Sequence, residues 1–261
     1  MARNRRHIVT IIVLSLLVVI EGLFILYLSR RPFKRPPGAV ILPKPKIAIV
    51  LDDWGYNLHN LKIAEEIKQP LTMSVLPNLD YSRTVCEELH KRGFEIILHL
   101  PMEPHEKINL EKNTIMVSMD QDTIRNVINS DLTNVLYASG VSNHMGSAAT
   151  ENSATMTVVF KELKKKKLYF LDSFVSSHSV CHNLARKIKL RFARRDIFLD
   201  NQENASYIKN QISKLKSKAK IYGQAIGIGH DHKVTLEVLK EVLPKLEKEG
   251  YQFVYLSELV R

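Results

Sequence analysis

Asp52 and Asp53 stand directly after five apolar residues, Ile47-Ala-Ile-Val-Leu51. Apolar runs that end in a carboxylate or an imidazole recur along the chain. Phe94-Glu-Ile-Ile-Leu98 leads into His99, Val141-Ser-Asn143 into His144, Leu168-Tyr-Phe-Leu171 into Asp172, and Ala225-Ile-Gly-Ile-Gly229 into His230. Carboxylates and imidazoles are both the ligands of divalent metals and the acids and bases of hydrolysis. An adjacent pair can divide those tasks, one carboxylate holding a cation while its uncoordinated neighbour takes a proton from water. Successive residues of a strand point to opposite faces, so Asp52 and Asp53 serve one site only if the chain turns at the strand end. Asp53 alone would do equally well as a helix cap.

The remaining candidates follow from their neighbours. If Pro101 opens a short helix, His99 and Glu103 lie four residues apart on one face and can chelate a divalent ion; otherwise Glu103 is a solvent-facing or supporting acid. His144, set between Asn143 and Gly146, has no apolar core to fill and reads as a ligand. Asn143 would orient a substrate or hold His144. Asp172 reads either as a site acid that tunes a histidine or as a helix cap. Arg195 and Asp196 read as substrate contacts or as an ion pair at the rim, and Asp200-Asn201 as a cap for a helix from Glu203. His230 follows two glycines that permit close backbone approach, and its imidazole can donate a proton to a leaving group. Trp54, the one tryptophan, lines a sugar site or simply packs.

Elements that would position these groups alternate after residue 46. Strands are expected at 47–51, 71–76, 94–98, 141–143, 168–171, 190–193, 224–228 and 252–256. Helices are expected between them, with Asp120 as an N-cap and Gly93 and Gly250 as terminators. About seven strand–helix units make an α/β fold with a parallel sheet or barrel, whose strand C-termini open on one face. Ahead of this domain, residues 1–30 carry a basic terminus and an apolar stretch, Ile8 to Leu28, long enough for a membrane anchor. Residues 31–45 form a proline-rich linker, and 46–261 the barrel domain.

The net charge of +11 is concentrated in the flanks of the anchor, in Lys164 to Lys167 and in a lysine-rich helix near 209–220. No basic–aromatic interleaving accompanies it, so the pattern argues against nucleic acid and for an anionic membrane surface. Cys86 and Cys181 form neither a metal pair nor a disulfide framework and read as small core residues.

Six ordered segments together resemble the divergent polysaccharide deacetylase family. They are Ile49-Val-Leu-Asp-Asp-Trp-Gly-Tyr56, His99-Leu-Pro-Met-Glu-Pro104, Asn143-His-Met-Gly-Ser147, Phe170-Leu-Asp-Ser173, Arg195-Asp-Ile-Phe-Leu-Asp-Asn201 and Ile228-Gly-His230. The resemblance implies a distorted (β/α)7 barrel of the carbohydrate-esterase type and a cell-envelope location. It implies Asp52 as base, Asp53 and His99 as ligands of a divalent metal ion, zinc, and His230 as general acid. Glu103 stands where better-known deacetylases carry their second metal histidine, which leaves His144 or Glu103 as the third ligand.

The expected activity is metal-dependent removal of N- or O-acetyl groups from an envelope polysaccharide or peptidoglycan-type glycan. A single-pass anchor would hold the catalytic domain outside the cytoplasmic membrane. The rival reading is a non-catalytic glycan-binding or scaffolding protein on the same fold. A third, glycoside hydrolysis, would need Asp52 and Asp172 as a carboxylate pair.

Overall fold

The structure, a computed structural model, describes residues 16–27 and 43–261. Residues 16–27 are helical (α1) with exposed side chains, and no helix among the described residues is long and apolar enough to cross a membrane. The rest of the expected anchor and nearly all of the linker lie outside the described residues. Residues 43–261 form a single unit.

Within that unit the chain runs β1 (Lys46–Trp54), α2 (Leu61–Glu66), β2 (Thr72–Val75), α3 (Ser82–Lys91), β3 (Glu95–Met102), α4 (Gln121–Asn134) and β4 (Gly140–Met145). It continues through α5 (Ser147–Glu151), α6 (Ser153–Lys165), β5 (Tyr169–Asp172), α7 (Cys181–Ile188), β6 (Phe192–Arg194), β7 (Ile197–Phe198), α8 (Ala205–Tyr222), β8 (Gln224–His230), α9 (Lys233–Lys248) and β9 (Gln252–Phe253). A single 3-10 turn, Leu256–Glu258, follows. Two short elements, α5 and β7, were not expected. The short helix that Pro101 could have opened does not form: β3 runs on to Met102, with Pro101 in register with His144.

All strand pairs are parallel, in the order β6-β5-β4-β3-β2-β1-β8-β7, with β9 also on β1. Because β6 and β7 do not pair with each other, the sheet curls into a half-barrel and does not close, in keeping with the distorted barrel expected. Caps fix where helices begin. Asp120 accepts from Thr123 N at 2.8 Å, Asn152 from Thr155 N at 2.9 Å, and Asn204 from Ser206 N and Tyr207 N at 2.9 and 3.1 Å. Each such cap stabilises by about 1 kcal/mol. The cap of α8 is therefore Asn204, which frees Asp200 for another partner.

The two-residue period of the strands sorts the side chains into two layers. Outward residues such as Ile49, Leu51, Leu98, Val141 and Phe170 pack under the helices. Inward residues form a second, smaller core of Ala48, Val50, Ile97, Leu171, Ile226 and Ile228, closed from below by Val254, Leu256 and Leu259. Counting two further along the inner face reaches Asp52 from Val50, His99 from Ile97 and His230 from Ile228. The apolar plug is thus a floor, and the chemistry is the next layer up.

One buried acid lies outside this scheme. Asp131 on α4 is fully buried; its Oδ1 accepts from Asn78 Nδ2 at 2.7 Å and Asn113 Nδ2 at 3.3 Å, while Oδ2 has no partner. Burial raises its pKa from 3.8 to about 6. Below the unfolded value both states hold the proton, so no penalty exists; above about 6 the folded state carries a buried anion at a penalty of roughly 3 kcal/mol. Asp131→Asn, which keeps the Oδ1 acceptor, is therefore predicted to raise thermal stability at pH 7–8 and to leave it nearly unchanged near pH 4. Unfolding curves at the two pH values check this, and an equal effect at both would refute it.

Candidate functional site

At the C-terminal end of β1 the alternation breaks. The pairing of β1 with β2 shifts register between Leu51 and Trp54, and Asp53 takes a left-handed backbone conformation, φ +65°. Asp52 follows Val50 on the inner face, and the reversal turns Asp53 to that face as well. Trp54 resumes the outward position and packs in the outer core.

Three strands then bring donors together. Asp53 Oδ1 lies 3.3 Å from His99 Nε2 and 3.1 Å from His144 Nδ1, and the two imidazole nitrogens are 3.2 Å apart. Asp53 Oδ1 nevertheless makes no hydrogen bond of good geometry. Donors ~2.0–2.1 Å from a tetrahedral ion stand roughly 3.3 Å from each other, so this triangle has the size of one face of a metal's coordination shell. Asp53, His99 and His144 thus fit a divalent cation.

Two further groups flank the triangle. Asp52 Oδ2 is 3.7 Å from His99 Nε2. His230 Nε2 is 4.0 Å from Asp53 Oδ2, and its Nδ1 is 3.0 Å from Asp200 Oδ1. Asp200 Oδ2 also accepts from His230 N and Thr235 Oγ1, both at 2.7 Å. The close approach depends on Gly229, where a Cβ would lie 3.1 Å from Asp200 Oδ2 and 3.1 Å from Thr235 Cγ2.

Residues 49–260 match the divergent polysaccharide deacetylase family. This chain belongs to that family. It is 36% identical over 201 residues to the uncharacterized protein YibQ of Escherichia coli K12, covering 77% of this chain and 63% of the relative. The chain thus spans less than two thirds of that relative's length. Among solved structures, the uncharacterized protein ATU2773 from Agrobacterium tumefaciens C58 superposes with a TM-score of 0.81 at 20% identity, over 87% of this chain and 92% of that one. The catalytic domain of a peptidoglycan N-acetylglucosamine deacetylase from Eubacterium rectale superposes at 0.51 and 14% identity, over 87% and 93%. The fold is accordingly a parallel, deacetylase-like half-barrel.

Several residues singled out in the sequence lie elsewhere. Glu103 is not among the clustered donors, because β3 stays extended and no i, i+4 helical pair arises; its carboxylate instead accepts from Val117 N, anchoring the loop after β3. Asp172 has the parity of Phe170 and falls on the outer side, where it accepts from Ser179 Oγ at 2.7 Å and Phe174 N at 2.8 Å. It therefore tunes no site histidine, and it is not available as the second carboxylate that glycoside hydrolysis requires. Asn143 has the parity of Val141; its amide holds Met145 O at 2.7 Å and Ser173 N at 2.9 Å, not the His144 ring. Trp54 is 0% exposed and offers no surface to a sugar. Asp196 is bound to Lys218 and to Ile226 N, not to Arg195.

Arg195 reaches inward instead. It donates to Ser173 O at 2.6 Å and Phe174 O at 3.0 Å, lies over the Phe198 ring, and its charge acts on Asp52. Asp200 is the functional residue that sequence reasoning missed. Its position before Asn201 mimicked a helix cap, and only the distance of one acidic residue to the strand end of β7 could have hinted otherwise. Tyr56, Ile108, Leu110 and Val175, on the loops that follow β1, β3 and β5, are exposed.

The electrostatics separate the two carboxylates. Burial raises the Asp52 pKa, opposed by the charges of His99 and His230, with Asp53 adding to the rise. Burial acts on Asp53 too, but contact with His144 and His99 outweighs it and holds that carboxyl far below the usual range. For His230, burial disfavours the cation, yet the bond and charge of Asp200, with Asp52 and Asp53, push its pKa to about 9. In the metal-free protein, Asp200→Asn should bring the His230 pKa down towards ~6.5, as read by NMR titration of the imidazole. A value still near 9 would show that Asp200 does not set it.

A buried pair of hydroxyls runs from His99 towards Asp52. His99 Nδ1 is 2.7 Å from Ser142 Oγ, Ser142 Oγ is 2.7 Å from Ser74 Oγ, and Ser74 lies beside Asp52, whose anion it favours. Both serines are 0% exposed. When Ser142 Oγ accepts from His99 Nδ1–H, the Nε2 lone pair is left aimed at Asp53 and His144, the tautomer that a bound cation requires. Ser142→Ala is predicted to weaken Zn²⁺ or Co²⁺ binding about 10–100-fold in chelator competition, with the folded spectrum unchanged. Unaltered affinity would remove the pair's role.

Proposed function

We propose that the protein is a metal-dependent hydrolase that removes N- or O-acetyl groups from a cell-envelope polysaccharide or peptidoglycan-type glycan. What carries the reading is the convergence of a three-donor face, Asp53, His99 and His144, with a buried carboxylate on one side and a carboxylate-bound imidazole on the other. Family membership and the deacetylase-like fold support the substrate class.

Zinc, or another divalent ion held by those three residues, would supply Lewis acidity towards an acyl carbonyl and a water molecule. Asp52 takes the proton from that water. Its raised pKa makes it a stronger base than a solvated aspartate, while Ser74 and the charge of Arg195 keep the anion available. His230 enters as the cation and gives its proton to the departing amine or alkoxide; Asp200 holds its Nδ1, so Nε2 is the donating atom. The products are acetate and the freed amine or hydroxyl, and return of a proton from Asp52 to His230, through solvent, resets both groups. Asp200 fixes the ring by two bonds, to the imidazole and to the His230 backbone.

In this proposal the apolar segment 8–28 tethers the domain outside the cytoplasmic membrane, where envelope glycans are found. The test is acetate release from acetylated chito-oligosaccharides and peptidoglycan fragments by the purified, Zn²⁺-loaded full chain. Asp52→Asn and His99→Ala are each expected to lower the rate at least ~10²-fold, and chelation to abolish it. Equal rates in all three proteins would reject the proposal. Tight, chelator-insensitive glycan binding without turnover would favour the non-catalytic reading.

A further inference from the structure

The other end of the half-barrel carries a feature that the proposed chemistry does not use. Where β6 and β7 fail to pair, a cavity of about 760 Å³ opens at the N-terminal ends of the strands. Its wall bears five exposed cationic side chains, Arg186, Lys189, Arg191, Arg194 and Arg261. None of the five has an ion-pair partner within 4 Å among the described residues, although the Arg194 charge acts on Asp172, Arg191 donates to Ser257 O and Arg261 to Gln224 Oε1. The one acidic side chain in the wall, Asp196, is already matched by Lys218. The cavity floor is apolar, with Leu190, Phe192 and Ile226. Beside it, at the end of α8, Ile221 and Tyr222 are each 72% exposed.

We infer that this face docks on an anionic membrane surface, with phosphate-bearing lipid headgroups entering the cationic cavity. Exposed cations around an apolar floor suit an anion that continues into hydrocarbon. A protruding isoleucine and tyrosine at the edge are residues that gain by entering the interface between headgroup and acyl chain. The isoleucine beside the tyrosine, and the leucine and isoleucine of the floor, favour hydrocarbon over the stacking platform of a nucleic-acid surface. Lys46, the first residue of β1, pairs with Gln224 at this face, whereas Asp52 pairs with His230 six residues later. At ~3.3 Å per residue the two ends of the sheet are about 20 Å apart. Docked in this way, the protein presents its catalytic rim away from the lipid. The inference is independent of the deacetylase reading and of whether residues 8–28 span the bilayer.

Amide hydrogen exchange of the full chain tests it, in vesicles of phosphatidylcholine alone and of phosphatidylcholine mixed with phosphatidylglycerol. Segments 184–194 and 219–226 are expected to exchange several-fold more slowly in the anionic vesicles. High salt and the double substitution Arg186→Glu/Arg191→Glu should both erase the difference, while β1 and β8 keep their protection as proof of fold. Equal exchange in the two vesicles overturns the inference. Protection of the same segments by inorganic phosphate or by an RNA oligonucleotide, without vesicles, overturns the assignment to lipid.

Discussion

Two carboxylates on consecutive residues face one side of a parallel sheet only because the backbone of Asp53 reverses. A left-handed, non-glycine residue at φ +65° is strained by roughly 1–2 kcal/mol relative to extended backbone. The surroundings hold it there. Leu51 and Trp54 on either side are locked in the outer core, and the Asp53 carboxylate lies against two imidazoles. Without the reversal Asp53 would point at the helices, where a charge has no partner. The donor triangle and the separation of the two carboxyl pKa values both depend on this one torsion.

The half-barrel interior is built in levels that follow from strand periodicity. Aliphatic side chains fill the lower level and exclude water beneath the site. The next level is polar and almost entirely buried: Asp52, Ser74, His99 and Ser142 are each at most 3% exposed. Burying an ionised carboxylate is unfavourable unless donors and opposite charge surround it. Here the surroundings are two imidazoles, a hydroxyl and, through its field, Arg195. Above this level Asp53, His144 and His230 are partly exposed, so reacting groups meet solvent only at the rim. The gradient from dry floor to wet rim is what lets one pocket hold a carboxyl of raised pKa beside one that stays ionised.

Much of this was legible in the residues. Apolar runs ending in Asp or His located the strands to within a few positions, since a strand buried on both faces needs β-branched and aliphatic residues throughout. Asp52, Asp53, His99, His144 and His230 all gather at the C-terminal end of the sheet, as their place at or near strand ends implied. Three of the failures share one cause. Trp54, Asn143 and Asp172 are also near strand ends, but their side chains fall on the opposite face, and a single slip of parity moves a residue from the site to the outer packing. Pro101 misled because its helix-opening preference is weak against the pairing of β3 with β4. Asp200 was hidden because an acid before a helix looks the same whether it caps that helix or bonds a histidine from another strand.

The sequence by itself determined the family, the parallel α/β architecture and the inventory of acids and imidazoles, because these are written in local patterns of hydrophobicity and in short motifs. Tertiary structure alone decided which of those groups meet. It chose His144 over Glu103, paired His230 with Asp200, threaded two buried serines between Asp52 and His99, and left a cationic cavity at the open seam. Each of these is a contact between strands far apart in the chain, set by register, by facing and by one reversed torsion, none of which any short stretch of residues encodes.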